Sequence, residues 1–184
     1  MLKKNHFLRI PREVVEMLNE QIAQENLSSF AYLSQAVWCD RRGYQGAAKF
    51  LYKQSADERE HMLRIMAYLN ELEAEIMVPT QQKVDSSHAS LQDIFTEVLA
   101  NEVKVTASIH TIVEYVLKVK DYRTFSFLQW FLEEQREEER IAQRAVELFD
   151  IMGKDGGVGQ YMIDQALGEL IEEDEASMDK LPGE

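Results

Sequence analysis

Apolar residues recur at alternating three- and four-residue steps over four long stretches of this chain, the spacing that lines one face of an α-helix. The stretches run from about Pro11 to Arg41, Tyr44 to Glu75, Ser90 to Val119 and Asp121 to Met152. The punctuation agrees with four helices. Pro11 suits a first helical turn, Gly43 and Gly153 suit helix ends, and Pro79 lies just beyond the second stretch. Ser90 with Asp93 resembles a capping box. A shorter run from about Val158 to Glu173 predicts a fifth helix, and Asp174 to Glu184 reads as an acidic, frayed tail.

Connector lengths suggest how these helices stack. The first and second are joined by a short turn at Gly43 and the third and fourth by another near Asp121, so each pair is expected to be antiparallel. The link from about Ile76 to Ala89 is polar and contains Pro79 and a Ser-Ser pair. A thirty-residue helix is on the order of 40 Å long at 1.5 Å per residue. About fourteen extended residues reach roughly 45 Å. The link can therefore run the length of the bundle and deliver the third helix parallel to the second. The predicted fold is all-α, a four-helix bundle over about 11–152 with one long crossover and a short fifth helix. The whole chain, 1–184, is read as one domain.

Composition narrows the possibilities. The 184 residues are 45% hydrophobic and 29% charged, ordinary for a globular protein, and carry a net charge of −13. That charge argues against nucleic-acid binding through a basic surface and fits cationic partners or a solvated acidic surface. Cys39 is the single cysteine, which excludes an intrachain disulfide and a CxxC metal knuckle. It is expected to be a small buried hydrophobe near a helix end. The basic start, Met1 to Arg12, lacks the apolar core of a signal peptide. No apolar run is long enough to span a bilayer. A cytoplasmic protein without membrane partners is the expectation.

The inward stripes carry the chemistry. They are Val15, Leu18, Ile22, Glu25, Ser29, Tyr32, Ala36 in the first helix and Leu51, Gln54, Glu58, His61, Ile65, Tyr68, Leu72 in the second. The third has Phe95, Val98, Glu102, Val105, Ile109, Ile112, Val116, and the fourth Leu128, Phe131, Gln135, Glu138, Ala142, Ala145, Phe149. Each stripe is mostly apolar and holds one glutamate near its middle. An ionised carboxylate in an apolar core costs several kcal/mol unless something compensates it. Four of them, one per helix, point to a shared cation. The alternative is a hydrogen-bonded polar layer that fixes bundle register. Glu25 and Glu58 bracket the Gly43 turn, and Glu102 and Glu138 bracket the turn near Asp121, so folding each hairpin brings its pair to one level.

Glu58 and His61 form Glu-x-x-His, a carboxylate and an imidazole on one helix face. Together with Glu25, Glu102 and Glu138 they match the di-iron carboxylate arrangement of helical bundles, and mixed oxygen and nitrogen donors suit iron or manganese. Where a second Glu-x-x-His would stand, the chain has Gln135-x-x-Glu138. One metal position is thus predicted at Glu25, Glu58 and His61. A second, more loosely held, is predicted at Glu58, Glu102 and Glu138 beside Gln135. Tyr32 shares the Glu25 stripe, open between a core tyrosine with a paired hydroxyl and a group that donates to a ligand or supplies an electron. Asp57, Glu134 and Glu137 lie one step off the seam, either as an accessory cation site or as a solvated acidic face. His6, His88 and His110 have no identifiable partners and are assigned no role.

These residues resemble bacterial non-haem ferritins along nearly the whole chain. The most specific stretches are Glu25 to Tyr32 enclosing Ser28 and Ser29, Trp38-Cys39, Gly46-Ala47-Ala48, Glu58-x-x-His61, and Phe127-Leu128-Gln129-Trp130 leading into Glu134-Gln135-Arg136-Glu137-Glu138. The resemblance implies a ferritin-like bundle, assembled as a hollow homo-oligomer of twenty-four copies. It implies a ferroxidase that oxidises Fe(II) with O2 or H2O2 and stores ferric oxyhydroxide. Two irons per subunit are implied, the first held by Glu25, Glu58 and His61, the second by Glu58, Glu102 and Glu138, with Tyr32 nearby. A third iron site is implied at Glu134, Glu137 and Glu138. There the family commonly has glutamate where this chain has Asp57, which alters that site. Haem is not expected, because haem-binding bacterioferritins usually keep a second Glu-x-x-His. Rubrerythrins require a four-cysteine module, miniferritins place metal between subunits, and di-iron oxygenases or reductase subunits are normally larger. A metal-free helical scaffold and a redox-silent manganese or zinc buffer are the competing functions.

Overall fold

The computed structural model describes residues 10–81, 83–152 and 157–178. Five helices run in order: α1 Arg12–Asp40, α2 Gln45–Glu71, α3 Leu91–Lys118, α4 Tyr122–Met152 and α5 Gly157–Met178. Residues 1–9, Gly153 as the stop of the fourth helix, and residues 179–184 of the expected tail lie outside the described residues.

Pairings along each interface give the directions. Asn19 of α1 meets Glu75 beyond the end of α2, and Ser29 meets Ser55, so α1 and α2 are antiparallel. Gln135 meets Glu102 while Phe149 meets Phe95, so α3 and α4 are antiparallel as well. Gln21 contacts Ser108 and Gln35 contacts Glu97, which runs α1 against α3. The third helix therefore points the same way as the second. The connector achieves this by travelling along α1. Asn19 Oδ1 accepts from Met77 N–H at 2.7 Å, Asn26 donates to Gln81 at 2.8 Å, and Ser34 donates to the Asp85 carbonyl at 3.2 Å. At its far end the His88 ring sits edge-on to Trp38, and its Nδ1 lies 3.5 Å from Glu97. The fold is the expected four-helix bundle with one long crossover and a C-terminal helix.

The helix ends depart from expectation in two places. The periodic pattern of α2 continues to Glu75, but the helix stops at Glu71 because Glu73 takes a left-handed φ of 52°. Glu73 N–H bonds Asn70 O and Ala74 N–H bonds Leu69 O, the paired bonds of a Schellman stop. The same pattern recurs at Lys120, φ 62°, after α3. It occurs at Gly43 as well, φ 84°, the one turn of the three where a residue without Cβ takes that conformation at little cost. At the other end, α5 extends to Met178 rather than stopping at Glu173, since nothing in its Glu- and Ala-containing last turns breaks a helix.

The core forms two apolar blocks. One contains Ala36, Phe50, Phe95, Val98 and Phe149 with α5's Ile163 and Leu167. The other contains Leu18, Ile22, Ile65, Leu69, Ile109 and Leu128. Between them lie the glutamates of the four seams. The seam residues named from the sequence are buried, except that Val15 is only half-buried and Val14 takes the core place in the first turn. Against α2, α5 is held at close quarters. Asp164 accepts from Ala47 N–H at 2.9 Å, and the Gly46 and Gly168 backbones touch. Asp164 thus caps an α2 N-terminus that has no side-chain cap of its own. Buried Cys39 lies near it, its thiol pushed up to about 12 by burial and by Asp164's charge, which keeps it unreactive.

Candidate metal centre

Each of the four long helices brings one glutamate to the bundle's middle because its stripe repeats at helical spacing. Glu25 and Glu102 are fully buried, and Glu58 and Glu138 nearly so. His61, one turn after Glu58 on α2, is buried against the edges of Trp130 and Phe131. The structure brings Glu25, Glu58 and His61 together, with one ligand atom from each lying within 4.8 Å of the others. It also groups His61, Glu134 and Glu138 within the same distance. His61 stands between the two groups, its Nδ1 3.5 Å from Glu58 Oε2 and its Nε2 3.9 Å from Glu134 Oε1.

Burial sets the protonation of this layer. It raises Glu25 to about 7, against hydrogen bonds from Glu58 and Gln21 that pull the other way. It drives Glu58 well above the ordinary carboxylate range, and the charges of Glu25 and Glu102 push it further. Glu138 is driven up by burial and by Glu102, although Gln54 donates to it. Glu102 rises less steeply, since Tyr32 and Gln135 donate to its carboxylate. Burial, then Lys53 and Arg64, lowers His61 to about 4, so its imidazole is neutral at pH 7 with a lone pair to offer.

The donor inventory fits a cation. Glu25 Oε2, Glu58 Oε2, Glu138 Oε2 and His61 Nδ1 are all buried and have no hydrogen-bond partner among the described residues. Buried polar atoms are nearly always paired, and leaving one unpaired costs roughly 1–3 kcal/mol. A divalent ion takes such oxygens and an imidazole nitrogen as ligands and removes their mutual repulsion at once.

Around the ligands stands a shell in which the seam stripes had placed Tyr32 and Gln135 but not Gln21 or Ser108. Gln21 donates to Glu25 Oε1 at 2.9 Å and is itself held by the Ser108 hydroxyl at 2.6 Å. Tyr32 donates to Glu102 Oε1. Gln135 donates to Glu102 Oε2 at 3.2 Å. Tyr32, fully buried beside two carboxylates, has its phenol held well above the ordinary range, chiefly by burial. Of the accessory acids, Glu134 approaches His61, whereas Asp57 and Glu137 carry cations of the chain itself. Lys53 Nζ is 2.6 Å from both Asp57 oxygens, and Arg140 Nε is 3.0 and 3.1 Å from the Glu137 oxygens. The Lys53 and Arg140 spacings, four and three residues away on one helix face, were the available signal.

Known proteins resemble this chain in sequence and in fold. The ferritin-like domain family model matches residues 15–152. The bacterial non-heme ferritin of Campylobacter jejuni is 36% identical over 156 residues, covering 85% of this chain and 93% of that protein. A probable bacterial non-heme ferritin-like protein of Haemophilus influenzae is 35% identical over 161 residues, covering 88% and 97%. An open pore ferritin from the hyperthermophilic archaeon Archaeoglobus fulgidus superposes with a TM-score of 0.83 at 32% identity, covering 87% of this chain and 98% of that one.

Proposed function

Because this chain belongs to the ferritin family, we propose that it is a subunit of an iron store and that its bundle centre is a ferroxidase site. Fe(II) is the substrate. The first ion binds Glu25, Glu58 and His61. The second binds Glu58, Glu102 and Glu138, with Gln135 as a weak neutral neighbour. Each Fe(II) gives up one electron. Dioxygen takes two electrons and two protons and leaves as hydrogen peroxide, or peroxide takes two more and leaves as water. Ferric ions then hydrolyse, release protons and deposit as oxyhydroxide. Glu134 and Glu138 provide a further cation position beside His61, to which Asp57 and Glu137 contribute once Lys53 and Arg140 are displaced.

The observation that carries this reading is the set of four buried, unpaired donor atoms on Glu25, Glu58, Glu138 and His61. Storage further requires a cavity, and we propose a hollow homo-oligomer of twenty-four copies in the cytoplasm. Exposed apolar side chains support burial against other copies, among them Phe30 and Val37 on α1 and Val158 and Tyr161 on α5. Among the described residues no helix is long and apolar enough to cross a membrane.

The test is aerobic addition of Fe(II) to metal-free protein, following ferric absorbance and the size of the iron-bearing particle. Rapid oxidation by a particle many times the 21.4 kDa chain is expected, with iron far above two per subunit. Glu58→Ala, which removes the ligand proposed to touch both ions, is expected to cut the initial rate about a hundredfold or more. Parental rates in that variant, or oxidation at the buffer rate by a small species, would overturn the reading.

A further inference from the structure

The residue before Glu102 makes two hydrogen bonds that no seam pattern explains. Asn101 on α3 donates through Nδ2 to Tyr32 Oη at 2.7 Å and to Ser28 Oγ at 2.8 Å, both on α1. Gln24, also on α1, donates to its Oδ1 at 3.4 Å, and that contact turns the amide so that the NH2 faces Tyr32. A phenol hydroxyl carries one proton and rotates to suit its surroundings. Here Asn101 fills an accepting lobe of Tyr32 Oη, so the phenol proton is left to point at Glu102 Oε1. On the other side Gln135 Nε2 holds Glu102 Oε2 at 3.2 Å. Glu102 is thus clamped from α1 and α4 at once, and the α1 half of the clamp is aimed by Asn101.

From this geometry we infer that Asn101 is a positioning residue, which directs the Tyr32 hydroxyl onto Glu102 and so holds that carboxylate ready for a cation. The inference rests on Glu102 being a metal ligand, as proposed above. It does not require that the bound metal be oxidised. Groups that orient metal ligands by hydrogen bonds typically contribute 10–100-fold in affinity. Because Asn101 reaches Glu102 only through Tyr32, removing either should cost the same interaction, and removing both should cost it only once.

The experiment is a calorimetric titration of metal-free protein with Co(II), an ion that air does not oxidise at this kind of site. Parent, Asn101→Leu, Tyr32→Phe and the double variant are compared, with circular dichroism and thermal melting as fold controls. Asn101→Ala replaces the leucine variant if the latter is misfolded. Each single variant is expected to weaken the looser Co(II) site about tenfold and leave the tighter one unchanged. The double variant is expected to be no weaker than Tyr32→Phe alone. Parental affinity in Asn101→Leu overturns the inference. So does a double variant about a hundredfold weaker, since the two residues would then act independently. A parent that binds Co(II) and shows this coupling, yet oxidises Fe(II) no faster than buffer, supports the Asn101 role and sinks the ferroxidase reading alone. A parent that binds no Co(II) overturns both.

Discussion

A carboxyl that sits in a dry site holds its proton longer than one in water, and for that reason Glu25 makes the stability of the metal-free protein depend on pH. Its folded value of about 7 lies above the ordinary 4.5. The protonated form is therefore favoured by folding. Its contribution is complete below about pH 4.5 and is lost as pH rises through about 7, to the extent of roughly 3 kcal/mol. Glu58, Glu102 and Glu138, all raised, add in the same direction. His61 opposes them, since its lowered value stabilises the fold above about 6.5 and is lost as pH falls towards about 4. Metal-free protein should accordingly melt at lower temperature at pH 8 than at pH 5.5, and Glu25→Gln should flatten that slope. A slope unchanged in the variant would mean that Glu25 is ordinary in the apo state. These side chains were legible in the sequence because a glutamate interrupts each apolar stripe at one level. Gln21, Asn101 and Ser108 were not, because what they touch depends on how α1 is rotated and offset against α3. The pattern within either helix contains neither quantity.

At the scale of elements, the seams of α2, α3 and α4 were readable position by position, while the boundaries were readable only where a residue with special geometry marks them. Gly43 marks one. Glu73 and Lys120 take the same left-handed conformation without being glycine, and no pattern of polar and apolar positions announces that. Both are exposed, so their side chains pack against little. Lys120→Gly should therefore stabilise the protein by about 0.5–1 kcal/mol in denaturant unfolding, because it relieves a backbone that an L-residue adopts reluctantly. A destabilised variant would show that the Lys120 side chain contributes more than its backbone costs. Ser90 was a readable mark of the other kind. Its hydroxyl accepts from Asp93 N–H at 3.1 Å and starts α3 where the sequence placed it. Ser90→Ala should cost about 1 kcal/mol in the same measurement.

Taken whole, the molecule depends on one contact where no side chain fits. A Cβ on Gly46 would stand 1.8 Å from the Asp164 carbonyl oxygen, so backbone rather than a flexible side chain would have to give way. Gly46→Ala should push α5 from α2, break the Asp164 cap on Ala47, and destabilise the protein by about 1–3 kcal/mol. Faster proteolysis within α5 than in the parent is the accompanying sign, and an unchanged melting temperature would disprove the contact. The glycine was visible in the sequence, but its reason lies more than a hundred residues away in the chain. The division of the core has a mechanical consequence. Two dry, close-packed blocks are joined by a layer of buried acids from all four long helices. The fold is thus two close-packed ends joined by a polar waist, and under the function proposed above an ion bound there would tie four helices to one point. Under that reading each ion that left would loosen the waist again, so handling the cargo would also be a cycle of tightening and release within the fold.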